Sequence, residues 1–144
     1  MDGTAFIALA GKLAAAPNGE EASYRTAVSR AYYGAFHAAR LFLIELGFKP
    51  VSNANVHAFV RHYLAGANHA DACLAAGQLA DLQAARNRAD YDLDAPNVGT
   101  QRYAMVIVER AHRVVSALDK CREKDALDSI RQAIGDYERK IHSR

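Results

Sequence analysis

The stretch from Glu20 to Gly47 constrains this chain more than any other part of it. Between Pro17-Asn18-Gly19 and Gly47 no proline interrupts it, and Pro50 follows just beyond. Within it Val28, Tyr32, Ala35, Ala39, Phe42 and Leu46 recur at alternating three- and four-residue spacing. That period gathers them on one face of a long helix and makes them core residues. Glu20 and Glu21 suit the positive end of the helix dipole, and Gly47 suits the C′ position.

The rest of the chain reads in the same way. Residues 4–16 (TAFIALAGKLAAA) form a short first helix, with Asp2 or Thr4 as candidate caps. A third helix covers roughly 54–65, capped by Ser52 or Asn53 and broken by Gly66-Ala67-Asn68. A fourth spans about 70–92, and Asp94 to Gly99 is a loop. A fifth starts near Thr100 and reaches about 123. Leu127, Ile130, Ile134, Tyr137 and Ile141 then repeat at 3,4,3,4 spacing. This series is out of phase with Tyr103, Ile107, Arg110, Val114, Leu118 and Cys121. Either Asp125 caps a separate sixth helix, with Asp128 at N3, or one helix continues through a phase slip. No strand-like alternation or internal repeat is present. The expectation is an all-α, up-and-down bundle of five to six helices in one domain over 1–144.

Composition narrows the class. Hydrophobic content of 51% argues against disorder. A net charge of +2 does not by itself announce a nucleic-acid ligand, but the charge is uneven. Residues 101–144 carry ten Lys/Arg against seven Asp/Glu, while 51–100 carry three against five. Cys73 and Cys121 fall in no metal-binding or redox motif and read as reduced thiols, as expected of a cytoplasmic protein. The first residues have no basic n-region, and no apolar run approaches membrane-spanning length. No HExxH or other tight ligand pair occurs among the six histidines, so no metal and no cofactor is expected.

Two features carry chemistry. Arg30, Tyr33, His37 and Arg40 share a second face of the long helix, a stripe suited to phosphate binding or acid–base work, or simply to solvation. Ala75, Leu79, Leu82, Arg86, Ala89 and Leu93 form the seam of the fourth helix, which puts Arg86 where an apolar residue belongs. A guanidinium there must be paired, for which Asp90 at i+4 is placed, or must face a cleft and meet phosphate.

With both features read, Ser29-Arg30-Ala31-Tyr32-Tyr33-Gly34-Ala35-Phe36-His37-Ala38-Ala39-Arg40 resembles the second-helix signature of one branch of HEPN domains. That branch also has a histidine after the following loop, matched by His57. It has an Arg-x-x-Ala-Asp-Tyr element as well, matched by Arg86-Asn87-Arg88-Ala89-Asp90-Tyr91. The resemblance covers roughly 20–120 and leaves 125–143 as an extra C-terminal helix. It implies a helical bundle, often a homodimer, found among metal-independent ribonucleases, toxins and antiviral systems, or beside minimal nucleotidyltransferase partners.

The resemblance assigns catalysis to Arg86 and Asn87. However, the histidine of the ribonuclease element, five residues after Arg86, is Tyr91 here. Transfer of the 2′-hydroxyl proton needs a group titrating near neutrality, which tyrosine is not. His37 and His57 are the substitutes if folding brings one to Arg86. The leading expectation is therefore a nucleotide- or RNA-binding or partner-docking module using Arg30, Tyr33, Arg40 and Arg86, with Asp90 and Tyr91 as a structural pair. The alternatives are a ribonuclease built on Arg86 and a displaced histidine, and a structural homodimer joined through the 127–141 seam. The resemblance also makes Tyr91 a candidate for covalent modification by a partner enzyme.

Overall fold

The computed structural model describes residues 1–143. Six helices follow in order: α1 (Ala5–Ala15), α2 (Glu21–Glu45), α3 (Val56–Ala65), α4 (Ala70–Tyr91), α5 (Gln101–Cys121) and α6 (Lys124–His142). Among the described residues there is no strand, and the all-α bundle matches the reading of the sequence.

The helix α2 forms the axis, packing against α1, α3, α4 and α5. All six residues assigned to its apolar face are buried, from Val28 to Leu46. Its C-terminus closes as expected on Gly47, at φ +99°, with Gly47 N–H donating to Ile44 O and Phe48 N–H to Leu43 O. These two bonds satisfy carbonyls that the helix would otherwise leave open. The other left-handed residues, Asn18, Asn68 and Asn97, fall in the three loops read from the sequence. Asn tolerates that conformation better than most residues.

Two local expectations change. The sixth helix is separate, since the chain breaks at Arg122–Glu123, but Asp125 does not cap it. The N-cap is Glu123, so Asp125 lies in the first turn, and Asp128 pairs with Arg131 at 3.3 Å. In the fourth helix, Leu93 falls beyond the last turn and is 71% exposed. The seam therefore ends at Ala89, because Asp92 already leaves helical geometry.

The seam of α6 is consumed inside the chain. Ile130 and Ile134 are fully buried, and Tyr137 meets Tyr63 of α3 edge-on at 5.4 Å. The Tyr63 hydroxyl donates to Glu138 Oε2 at 2.8 Å. The helix thus closes the bundle over α3 and α5, with Leu127, Tyr137 and Ile141 partly buried against the core. Cys73 is exposed and Cys121 buried, both as free thiols.

Candidate functional site

The site forms where the polar stripe of α2 meets the last turns of α4 and the start of α3. Tyr33 is its centre. Arg30 and Arg86 both stand over the Tyr33 ring, with Cζ at 4.8 Å and 5.1 Å from its centroid. Each guanidinium touches a second ring, Arg30 that of Phe6 at 5.2 Å and Arg86 that of Tyr91 at 5.3 Å. Five side chains from three helices therefore alternate in one ladder: Phe6, Arg30, Tyr33, Arg86, Tyr91. Cation–π contacts of this kind hold guanidiniums in place while leaving N–H groups free for ligands.

Arg86 is paired within its seam and still reaches the surface. It pairs with Asp90 at 3.1 Å, and its side chain retains 17% exposure. It donates further to the Tyr33 hydroxyl at 2.7 Å, to Asn87 Oδ1 at 3.0 Å and to the Tyr91 hydroxyl at 3.4 Å. Asp90 also accepts from the buried Ser29 hydroxyl at 3.0 Å, which ties the pair to α2. Tyr91, by contrast, is 73% exposed and contributes its ring face rather than burial.

His57 comes to this cluster from the first turn of α3. It stacks on Phe36 at 4.4 Å and lies edge-on to Tyr33 at 6.3 Å. Its Nδ1 is hydrogen-bonded to the Tyr32 hydroxyl. Burial, then the charges of Arg86, Arg61 and His37, holds its imidazole below the ordinary value. The ring is therefore neutral at neutral pH, which leaves it able to accept a proton. Burial pushes the Tyr32 phenol up, so this partner stays protonated. His37 lies one turn along the stripe, 6.5 Å from Tyr33 and 5.9 Å from Phe6. It too is held down by burial and by Arg40 and Arg30. Arg40 does not join the Arg86 cluster. It lines a pocket of about 200 Å³ with His37, Phe6 and the N-terminal segment.

Sequence reasoning missed three contributors. Arg61 of α3 bonds Gln83 of α4 and adds a guanidinium beside His57. Phe6 lies outside every motif. Arg25, 7% exposed, is the third. Its guanidinium donates to the carbonyls of Arg88, Ala89, Asp92, Leu93 and Ala95 at 3.0–3.4 Å. It thereby caps the C-terminus of α4 and fixes the turn that carries Arg86 to Tyr91. The signal was available: Arg25 precedes Val28 by three and continues the apolar series, as Arg86 does in its own seam.

The HEPN domain family matches residues 13–121, and the chain belongs to that family. Neither the curated proteins nor the solved structures include a match to it. Membership points to a nucleotide- or RNA-related role, and HEPN domains often dimerise and bind RNA. No helix among the described residues is long and apolar enough to cross a membrane.

Proposed function

We propose that the chain binds RNA or nucleotide phosphate on the face centred on Tyr33, with Arg30 and Arg86 as the phosphate donors. The observation that carries this is the pair of guanidiniums from two helices over one ring. The charge of Arg40 bears on His37 and that of Arg61 on His57, and Asp90 is the carboxylate paired with Arg86. Like charges held this close repel one another until an anion arrives, and a phosphate relieves that cost. The Arg30 guanidinium makes no ion pair among the described residues, and its hydrogen bond to Ser29 is long at 3.5 Å. Its donors are open to a ligand.

The test is fluorescence anisotropy of labelled mixed-sequence RNA across a salt series, wild type beside Arg30→Ala and Arg86→Gln. The expected result is tight wild-type binding that weakens with salt. Each variant should reduce the slope of log K against log salt by about 0.7, one single-strand phosphate contact. Equal slopes in all three proteins sink the reading.

A ribonuclease is the second reading, favoured by His57 standing beside Tyr33 and Arg86. In it the neutral His57 takes the 2′-hydroxyl proton as the oxygen attacks phosphorus and the bond to the 5′-oxygen breaks. Solvent or a partner subunit's acid returns a proton to that oxygen, because His37 is itself held below the ordinary imidazole value. Arg86 stabilises the charge that develops on the phosphorane, and Asn87 orients it. RNA cleavage in EDTA by wild type, lost in His57→Gln and in Arg86→Lys with folding retained, establishes this reading. Absence of cleavage at high protein concentration removes it.

Family membership extends the proposal to a setting. The chain acts in the cytoplasm as a homodimer, or docked to a minimal nucleotidyltransferase in a toxin–antitoxin or defence system. Tyr91 is then accessible for modification. Co-purification with such a partner supports the setting, and mass spectrometry of Tyr91 after co-expression decides the modification.

A further inference from the structure

Arg40, His37 and Phe6 surround the 200 Å³ pocket between the N-terminal segment and α2, at the Phe6 end of the ladder. Its rim carries two complementary groups. Arg40 forms no ion pair among the described residues and presents a free guanidinium fork. Asp2 presents a carboxylate whose Oδ1 accepts from the Thr4 N–H at 2.9 Å, which leaves Oδ2 open. That bond also holds the carboxyl below its usual value and keeps it ionised. Phe6 supplies an aromatic face to the same pocket, already beside Arg30.

We propose that this pocket takes one unpaired guanine base, stacked on Phe6, of a nucleotide whose phosphate lies on Arg30. The inference rests on the phosphate-binding reading of the Tyr33 face and adds a base subsite to it. A guanidinium fork matches guanine O6 and N7, the commonest specific pairing of arginine with a base edge. The open carboxylate oxygen matches the N1–H and N2–H donors on the adjoining edge. Adenine offers an amine where guanine offers O6 and meets Arg40 donor to donor. Cytosine and uracil are single-ring bases and cover less of Phe6. A paired base has its Watson–Crick edge occupied, so the pocket selects single strands.

The chain has no tryptophan, so Phe6→Trp installs a lone indole in the pocket while keeping an aromatic platform. The full-length variant is titrated with GMP, AMP and inorganic phosphate, with labelled RNA binding by wild type measured in parallel. The expected result is saturable quenching by GMP at about tenfold lower concentration than by AMP, and none by phosphate. Arg40→Ala in the same background should bring GMP to the level of AMP. If wild type binds RNA but GMP does not quench, or quenches no better than AMP, the base pocket is overturned and the phosphate face stands. If neither RNA nor GMP binds, both readings fall. If Phe6→Trp loses helicity by circular dichroism, displacement of labelled RNA from wild type by the same three ligands gives the decision. GMP must then outcompete AMP and phosphate, and equal displacement overturns the pocket.

Discussion

Arg86 Nη2 donates to the Tyr33 hydroxyl over 2.7 Å, and this bond joins α4 to α2 at the middle of the site. Tyr33→Phe keeps the ring under both guanidiniums and removes the acceptor. The expected cost is about 1 kcal/mol of stability by urea denaturation. A double-mutant cycle with Arg86→Lys should return a coupling energy of about 1 kcal/mol. Additive single changes would show that the bond contributes nothing.

Arg25→Met should be far more damaging, although Arg25 touches no proposed ligand. It strips five carbonyls at the end of α4 of their common donor. We expect a loss of about 3 kcal/mol, and RNA binding that falls in the molecules still folded. A urea midpoint within experimental error of wild type would contradict the clamp.

The histidine at 57 gives a signed pH dependence. Its imidazole is held below the ordinary 6.5 by burial and by Arg86 of α4, Arg61 of α3 and His37 of α2. The unfolded chain gains a proton as pH falls through about 6.5 while the folded chain resists it. Stability is therefore unaffected above that pH and declines below it. Urea midpoints at pH 7.5 and 5.5 should drop more in wild type than in His57→Gln. In NMR titrations, Arg86→Gln should raise the pKa of His57, and an unmoved titration would separate the two residues.

At Gly34, α1 packs directly on the backbone of α2. A Cβ there would collide with the Ile7 side chain and sit 3.0 Å from the Ile7 backbone nitrogen. Gly34→Ala should cost about 1–3 kcal/mol by forcing the helices apart. Because Phe6 adjoins Ile7, it should also weaken any ligand held on Phe6. Thermal denaturation checks the first effect and GMP titration the second. Wild-type behaviour in both would mean that α1 shifts freely.

Removing residues 124–144 tests what α6 does. It uncovers Tyr63 and takes away the Glu138 acceptor, so the melting temperature should fall. Sedimentation velocity should show the same oligomeric state as the full chain, since the seam faces inward. A change from dimer to monomer would return the seam to the interface.

The bundle was legible because its signals are local. The apolar face from Val28 to Leu46 and the breaks at Asn18, Gly47, Asn68 and Asn97 depend on neighbours within one or two turns. Arg86 stood out by the same logic, as a charge in an apolar seam. The position of His57 was not legible, because it depends on how α3 docks on α2, and residue spacing carries no information about docking. Phe6 was missed for the same reason, since its neighbours Arg30 and His37 lie more than twenty residues away. The Asp125 cap failed where local chemistry was permissive, since Asp suits both an N-cap and a first turn.

The Arg25 clamp spans 63 to 70 positions of chain, from the second turn of α2 to the end of α4. Bonds of that reach cannot form until the intervening loop has been closed, so they arrive late in folding. The ladder of rings and guanidiniums is aligned by the turn that those bonds fix. A chain still emerging from synthesis, with α4 not yet docked on α2, therefore holds Arg30 and Arg86 apart rather than over one ring. On the phosphate-binding proposal, a ligand would meet the assembled face only in molecules whose α4 has docked on α2.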